Sequence, residues 1–337
     1  MHIFITGITG YIASHMVALL NEQGHTVSGI DNFSNSDAES LEKLSALCGK
    51  DLTFEKADVC NQRALKNALT NSLHINGPID AVMHFAGLKA VGESSQIPLH
   101  YHQNNISGTL NVLACMKELD IKNFVFSSSA TVYGVPESIP LNESCRTQST
   151  NPYGHSKLVV EELLSDISSA DPDLSIARLR YFNPVGAHPT GVIGEMPNGI
   201  PNNLMPYVFK VAAGDLPSVN VFGNDYDTKD GTGVRDYIHV CDLVSGHLAA
   251  VEHLKKNTGL FTFNLGTGQG YSVLEMIKRT EEITGVEIPY DICERRQGDV
   301  GEVYADASLA KTVLGWEANY GLDDMIKHQW KWVNTLK

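Results

Sequence analysis

The sequence predicts an α/β protein in which a doubly wound parallel sheet is followed by a smaller α/β domain. In the first half of the chain, short apolar runs alternate with segments of helical periodicity, as in parallel strands joined by helices. From about residue 183 this alternation loosens, and residues 183–203 form an aperiodic stretch rich in Pro, Gly and Asn. A loop of that length in a compact protein is usually functional. We therefore expect one domain over 1–182 and another over 183–337, with a return to the first around 235–267.

Each predicted element rests on its local pattern of apolar residues. Apolar runs bounded by polar residues predict the strands 2–6, 26–30, 52–56, 79–87, 123–129 and 174–182. Between them, apolar residues spaced three and four apart predict helices over 11–23, 61–73, 98–119 and 153–170, with a weaker candidate at 37–48. The same patterns predict later helices at 203–213, 240–256, 272–284 and 321–335, and strands near 219–222 and 260–265.

The composition limits the class of protein and its partners. A chain of 337 residues with 42% hydrophobic and 19% charged residues fits a globular enzyme. Its net charge of −14 argues against nucleic acid or anionic membrane as general partners, so local groups must hold any phosphate. The cysteines and histidines show no metal-binding spacing, so we predict free thiols and no metal. Without a signal-peptide pattern or an apolar run near 18 residues, we expect a cytoplasmic protein.

A glycine-rich turn directly follows the first predicted strand. In "TGITGYIASH" (6–15), Gly7 permits a tight turn, Gly10 lets the backbone approach a pyrophosphate, and Ala13 lets helix and strand pack closely. The pyrophosphate would lie at the N-terminus of the helix that follows. Asp31 ends the second strand, where a carboxylate accepts hydrogen bonds from an adenosine ribose and repels a 2′-phosphate. The sequence therefore predicts a Rossmann-type domain that binds NAD in preference to NADP.

A tyrosine and a lysine begin the helix predicted over 153–170. Tyr153 and Lys157 are four residues apart, so a helix places them on one face. An ammonium beside a phenol lowers the pKa of the phenol, which makes it a proton acceptor suited to a sugar or alcohol hydroxyl. Such a pair also arises by chance, and a solvated lysine on a partly buried helix is the alternative.

These features together resemble the extended short-chain dehydrogenase/reductase family. Within it, the chain resembles the UDP-galactose 4-epimerases over nearly its whole length, in the motifs "HFAGLKAVGES" (84–94), "FSSSATVYG" (126–134), "RYFNPVGAHP" (180–189), "GIPNNLMPY" (199–207) and "FGNDYDTKDGTGVRDYIHV" (222–240). The resemblance implies interconversion of UDP-galactose and UDP-glucose through a transient 4-keto sugar and NADH. It also implies a homodimer formed through helices 98–119 and 153–170.

The resemblance implies a role for each of three catalytic residues. Tyr153 would take the proton of the sugar 4-hydroxyl, and Lys157 would hold the nicotinamide ribose and keep the pKa of the phenol low. Ser129 would steady the O4 atom of the sugar, with Ser127 and Ser128 as its neighbours in the strand.

Binding residues follow from the same resemblance, position by position. For NAD it implies Gly7, Gly10, Tyr11, Ile12, Asp31, Asn32, Asn35, Ser36, Asp58, Val59, Phe85, Ala86, Gly87, Lys89, Asn104, Ser129, Tyr153, Lys157 and Phe182. For the UDP-sugar it implies Ser129, Tyr153, Asn183, Asn203, Leu204, Phe222, Arg235, Arg296, Asp299 and Val303. The two arginines suit a diphosphate that an acidic protein otherwise repels. For single residues such as Leu204 and Asn35, packing or simple exposure is the alternative.

Two further positions separate related activities. Family dehydratases and decarboxylases carry an acid after the position of Ser129, whereas this chain has Ala130 and Thr131. The lack of an acid there disfavours a dehydratase or a decarboxylase, which together with a non-catalytic NAD-binding redox sensor are the alternatives to the epimerase. Val303 stands where some members carry a bulky tyrosine, which implies room for UDP-GalNAc and UDP-GlcNAc as well; the alternative is that another side chain fills the space.

The acidic pairs in 161–164 and 281–285 are predicted to be solvated helix faces.

Overall fold

The structure is a computed structural model that describes residues 1–196, 199, 201, 203–296 and 298–336. Four positions of the predicted loop 183–203 (197, 198, 200 and 202) lie outside the described residues. The strands are β1 His2–Thr6, β2 Thr26–Asp31, β3 Thr53–Lys56, β4 Ala81–His84, β5 Asn123–Ser129, β6 Ser175–Tyr181, β7 Asn183–Val185, β8 Val219–Phe222, β9 Val234–His239, β10 Leu260–Leu265, β11 Gly270–Ser272, β12 Tyr290–Cys293 and β13 Glu302–Val303. The helices are α1 Tyr11–Glu22, α2 Ala38–Cys48, α3 Gln62–Asn76, α4 Val91–Gln96, α5 Pro98–His102, α6 Gly108–Glu118, α7 Pro152–Ala170, α8 Leu204–Ala213, α9 Val240–Leu254, α10 Val273–Thr284, α11 Ser308–Leu314 and α12 Leu322–Thr335.

Seven of the described strands form a parallel sheet in the order β10-β6-β5-β4-β1-β2-β3. Successive side chains of a strand point to opposite faces, so Ile3 and Ile5 join one core cluster and Phe4 joins the other. The first cluster includes residues of α1, α2 and α9, and the second includes residues of α3, α6 and α7. Both faces are thus covered by helices, which confirms the predicted doubly wound α/β fold. The strand order reverses between β1 and β4, and in open sheets of this kind ligands bind at the carboxyl ends of the strands there.

The second half of the chain builds a smaller sheet and then rejoins the large one. Strand β9 pairs with β7, β11 and β13, and β8 pairs with β12. Helices α8, α10 and α12 supply the apolar residues that pack around these strands. After β9, helix α9 packs against α1, and β10 pairs with β6 in register Leu260↔Ile176. The division into an NAD domain and a UDP-sugar domain at residue 183 stays a prediction.

Several elements differ from their predicted form. The helix predicted over 98–119 consists of α5, a π-helical turn over 103–107 and α6. The strand predicted over 79–87 is shortened to β4, because Phe85 to Gly87 leave the sheet and line a cleft. Helices α4 and α11 and strands β7, β9, β11, β12 and β13 were not predicted, since they are short or depend on distant partners. The six cysteines are free, as predicted, and no helix among the described residues is long and apolar enough to cross a membrane.

Candidate active site

The turn between β1 and α1 brings backbone close to the end of β4. Gly7 has φ +71°, and a Cβ atom there would lie 2.9 Å from the backbone nitrogen of Ala86. The amides of Gly7 and Ile8 both donate to the carbonyl of Ile30. Gly10 is the N-cap of α1 and provides no capping side chain. The start of α1 therefore presents backbone rather than side chain, which is the environment a pyrophosphate needs.

Asp31 is held in a fixed orientation at the end of β2. The residue is 8% exposed, and its carboxylate accepts the amides of Thr9 at 3.1 Å and Phe33 at 2.8 Å. The hydroxyl of Ser36 donates to the same carboxylate at 3.4 Å and lies 2.6 Å from the hydroxyl of Thr9. These contacts place a carboxylate at the rim of a cleft, where the sequence predicts the adenosine ribose.

A cleft of about 420 Å³ opens at the carboxyl ends of the central strands. The residues predicted to bind NAD that line it are Gly7, Gly10, Asp31, Asn32, Asn35, Ser36, Val59, Phe85, Ala86, Gly87, Lys89 and Asn104. Asn203, predicted for the sugar side, lines it too. Sequence reasoning missed further lining residues, including Ser34, Leu88, Glu93, Tyr101, Glu195 and Pro206. Leu88, Glu93 and Pro206 lie within the motifs 84–94 and 199–207, whose resemblance could have indicated them, whereas Ser34, Tyr101 and Glu195 lie in none of the quoted motifs.

Four residues predicted for NAD make other contacts. The Tyr11 hydroxyl donates to the carbonyl of Gly186 at 2.6 Å. Ile12 packs against the main apolar core, and Phe182 packs in a separate apolar cluster. Asp58 accepts the amide group of Asn32 at 2.8 Å. Asp58 therefore reaches the cleft through Asn32.

An ion pair links the cleft to the predicted loop 183–203. The Lys89 ammonium lies 2.7 Å from the carboxylate of Glu195, whose side chain is 6% exposed. The indole of Trp332 on α12 donates to the carbonyl of Glu195 at 3.3 Å. A lone acid in an aperiodic segment gives no sequence signal, so this contact could not be predicted.

Ser129, Tyr153 and Lys157 come together where β5 ends and α7 begins. Asn151 caps α7 by accepting the amide of Gly154 at 2.8 Å, which fixes the first turn that carries Tyr153. The Ser129 hydroxyl accepts hydrogen bonds from the amide of Thr131 at 3.2 Å and from its hydroxyl at 2.9 Å. Lys157 is buried, and its ammonium donates to the carbonyl of Ser127 at 2.7 Å. It also lies 4.9 Å from the ring centre of Phe126.

Burial and Ser129, not Lys157, set the pKa of the Tyr153 phenol in this structure, so the lowering of that pKa by Lys157 stays a prediction. Burial raises the pKa of Tyr153, and a hydrogen bond with Ser129 lowers that pKa by less. The Lys157 ammonium is directed to Ser127, and burial lowers its own pKa to about 8. Removal from water disfavours the charged form of both groups, and the spacing in sequence could not reveal that burial.

The prediction of a solvated helix face at 161–164 is wrong at its first residue, which is buried. Glu161 is 2% exposed, and its carboxylate makes an ion pair of 2.6 Å with Arg180 on β6. Ser128 on β5 donates to the same carboxylate at 2.5 Å. Glu161 lies on the face of α7 that packs on the sheet, so it is an internal residue. Glu162, by contrast, is exposed.

The residues predicted for the UDP-sugar fall on the smaller sheet and its loops. Arg235 on β9 and Val303 on β13 are register partners, and the Arg235 guanidinium donates to the carbonyl of Val234 at 2.8 Å. Arg296 lies 4.7 Å from the ring centre of Phe222 and pairs with Asp299 at 3.0 Å. The remaining predicted residues are Asn183 in β7, Asn203 at the N-cap of α8, and Leu204 in its first turn.

A glycine turn, an acid at the end of β2 and a serine–tyrosine–lysine group on one nucleotide-binding sheet define the class of extended short-chain dehydrogenases/reductases. The family model for GDP-mannose 4,6 dehydratase matches residues 4–329. Among curated relatives, the UDP-glucose 4-epimerase of Bacillus subtilis is 53% identical, over 99% of this chain and 97% of its own length. The human UDP-glucose 4-epimerase is 51% identical over 98% of this chain and 95% of its own.

Solved structures give the same result. A UDP-glucose 4-epimerase from Stenotrophomonas maltophila, with bound NAD and formylated UDP-arabinopyranose, is 48% identical with a TM-score of 0.96, covering 100% of this chain and 98% of its own. One from Bifidobacterium longum, in complex with NAD⁺ and UDP, is 48% identical with a TM-score of 0.94, covering 99% and 98%. This chain belongs to the UDP-glucose 4-epimerase family, which confirms the resemblance seen in the sequence.

Proposed function

We propose that this protein is an NAD-dependent 4-epimerase that interconverts UDP-galactose and UDP-glucose. The observation that carries the proposal is the group Ser129, Tyr153 and Lys157 at the carboxyl end of β5. It lies on the same sheet edge as the glycine turn and Asp31, in a chain about half identical to epimerases over nearly full length. Family membership and site chemistry therefore support the same reaction.

The residues around the cleft fit NAD. A side chain at Gly7 would collide with the backbone of Ala86, so this turn packs directly against the end of β4, where the cleft opens. Gly87 lines the cleft, and a Cβ atom there would lie 3.7 Å from the Lys157 ammonium, so this group is within reach of a ribose held in the cleft. When bound there, NAD would supply a hydride acceptor for C4 of the sugar and a positive charge on its nicotinamide ring. Asp31, with its fixed carboxylate, would accept the adenosine ribose hydroxyls.

The chain's own residues then move one proton. Tyr153 removes the proton of the 4-hydroxyl as C4 is oxidised and gives it back after the sugar has turned its other face. Since burial raises the pKa of this phenol, the phenolate needs nearby positive charge, which Lys157 and a bound nicotinamide ring would provide. Ser129, already oriented by Thr131, holds the O4 atom while the sugar turns. Arg235 and Arg296 are the cations proposed to hold the diphosphate.

The alternatives lack specific support. A dehydratase or decarboxylase needs another acid beside the sugar, and the residues after Ser129 are Ala130 and Thr131. The Thr131 hydroxyl donates a hydrogen bond to Ser129, and neither residue carries a carboxylate. A redox sensor needs no proton acceptor, whereas this chain keeps the complete serine–tyrosine–lysine group.

A direct assay tests the proposal. The purified protein is given UDP-galactose without added cofactor, and the anomeric protons of both sugars are followed by NMR. We expect UDP-glucose to appear until the two epimers reach equilibrium, because NAD is retained through the cycle. Absence of UDP-glucose, with NAD added back as a control, would contradict the proposed function.

We further propose that Val303 leaves room for N-acetylated sugars. Val303 is half-buried beside an apolar cluster that includes Phe182, and its register partner is Arg235. Val303→Tyr is expected to lower turnover of UDP-GalNAc about 10- to 100-fold while UDP-galactose turnover changes little, since fit in a pocket of this kind is worth about 1–3 kcal/mol. Both substrates are supplied together and their epimers are measured by NMR. Val313→Tyr, at an exposed valine of α11, is the control. Equal loss on both substrates would contradict the proposal.

We also propose that the protein is a cytoplasmic homodimer formed through helices 98–119 and 153–170. Free cysteines and an acidic surface support the compartment. Leu99 and Leu110 on this helical segment are 69% and 40% exposed, an apolar surface that a second copy would cover. Leu99→Glu is expected to shift the protein from dimer to monomer in light scattering. Ile75→Glu, at an isoleucine on α3 that is 66% exposed, should leave the mass unchanged. A monomeric wild-type protein, or a dimeric Leu99→Glu variant, would contradict the interface.

A further inference from the structure

A buried ion pair lies directly behind the proposed catalytic residues. The side chains of Glu161 on α7 and Arg180 on β6 are 3% and 6% exposed. The contact is bidentate: Arg180 Nη2 lies 2.6 Å from Glu161 Oε2, and Arg180 Nε lies 3.0 Å from Oε1. The Ser128 hydroxyl donates to Oε1 at 2.5 Å. A bidentate pair with a third partner fixes orientation as well as distance.

Arg180 also holds the turn that follows the catalytic strand. Its Nη1 donates to the Tyr133 hydroxyl at 3.0 Å and to the carbonyl of Glu143 at 3.2 Å. The Tyr133 hydroxyl donates in turn to Asn264 at 2.6 Å. The pair thus joins α7, β5, β6, β10 and the turn over 130–133.

The Glu161–Arg180 pair belongs to a series of contacts between one face of α7 and the end of β5. Tyr153, Lys157 and Glu161 are spaced four apart, so they lie on one face of α7. They face three consecutive serines: the Lys157 ammonium donates to the Ser127 carbonyl, Glu161 accepts the Ser128 hydroxyl, and Tyr153 lies near enough to Ser129 for this serine to lower its pKa. A change at the Glu161 contact therefore moves the helix relative to both functional contacts.

We propose that Glu161 and Arg180 are positioning residues for the epimerase reaction. With Ser128 they hold α7 against β5. This contact keeps Tyr153 facing Ser129 and Lys157 in contact with Ser127. The inference rests on the proposed function, in which Tyr153 is the proton acceptor. Stability alone does not account for the pair, because well-packed apolar residues often stabilise a core as well as a buried ion pair does. Fixed orientation is the property that apolar replacements do not supply.

The test compares Glu161→Gln and Ser128→Ala with wild type. Each variant is purified with its bound NAD, and kcat, KM for UDP-galactose and the pH profile of kcat are measured well below its unfolding temperature. Asp242→Asn is the matched control: Asp242 is a buried carboxylate that accepts two backbone amides, from Asn319 and Tyr320 in the segment between α11 and α12. It should be less stable than wild type, with kcat and the pH profile unchanged.

We expect kcat to fall about 10-fold or more in Glu161→Gln and several-fold in Ser128→Ala, with KM and NAD content nearly unchanged. The acidic limb of the pH profile should move to higher pH in both, because a displaced Tyr153 loses the Ser129 hydrogen bond that lowers its pKa. Ser128→Ala removes a single hydroxyl and decides the matter if Glu161→Gln does not fold. Unchanged kcat and pH profile, or an equal loss in Asp242→Asn, would overturn the inference while the proposed function stands. An inactive wild-type protein would overturn both.

Discussion

Replacement of Tyr153 by Phe is expected to lower the rate of epimerisation by about 10²- to 10⁴-fold, the range that a positioned acid or base contributes. The substitution keeps the ring and removes only the hydroxyl, so the cleft and its contacts to NAD are preserved. The bound NAD should therefore remain at the wild-type level. The rate is measured by NMR with UDP-galactose, and NAD content by absorbance after denaturation.

The matched control for this variant is Tyr290→Phe. Tyr290 lies on β12 and is 47% exposed, so loss of its hydroxyl should change neither rate nor NAD content. Unchanged activity in Tyr153→Phe would remove this residue from the role of proton acceptor. Loss of activity together with loss of NAD would mean that the phenol serves binding rather than proton transfer.

The second large effect is expected at Gly7. An alanine at φ +71° is strained by about 1–2 kcal/mol. Its methyl group would also lie 2.9 Å from the Ala86 nitrogen, which is backbone and cannot swing aside. Overpacking of this kind adds about 1–3 kcal/mol. We expect Gly7→Ala to lower the free energy of unfolding by about 2–5 kcal/mol and to reduce NAD content, because the displaced residues line the cleft.

Gly24→Ala separates the two causes. Gly24 has φ +74°, but a Cβ atom there would meet nothing within 4 Å. It should therefore show the backbone strain alone, about 1–2 kcal/mol, with NAD content unchanged. Chemical denaturation and NAD content are measured for both variants. Equal effects at the two glycines would show that the close approach of Gly7 to the Ala86 backbone matters neither for stability nor for NAD content.

The parts of the fold that could be predicted from sequence are those specified by local patterns. The run from β1 through the glycine turn to Asp31 is one strand–turn–helix–strand unit, and its periodicity and spacing lie within about 30 residues. Strand β9 could not be predicted in the same way, because its partners β7, β11 and β13 are distant in the sequence. Its pairing is what brings Arg235 beside Val303. The resemblance named both residues, but their spacing did not place them together.

Burial is the property that sequence reasoning estimated least well. Glu161 follows Lys157 by one helical turn and resembles any acid on a solvated helix, yet it is internal because Arg180 on β6 provides a partner. Burial also raises the pKa of Tyr153, which its spacing from Lys157 did not indicate. Four-residue spacing shows which groups share a helix face, but not how much water that face retains or which carbonyl a lysine will find.

The central claim is that C4 is oxidised and reduced within one site, and the fate of the hydrogen on C4 tests it most directly. The purified protein is incubated with UDP-galactose carrying deuterium at C4, in ordinary water and without added cofactor. We predict UDP-glucose that retains its deuterium at C4, because the hydride leaves and returns without meeting solvent, and Tyr153 exchanges only the hydroxyl proton. UDP-glucose with protium at C4 would contradict this account, since it would mean that the hydrogen left C4 as a proton.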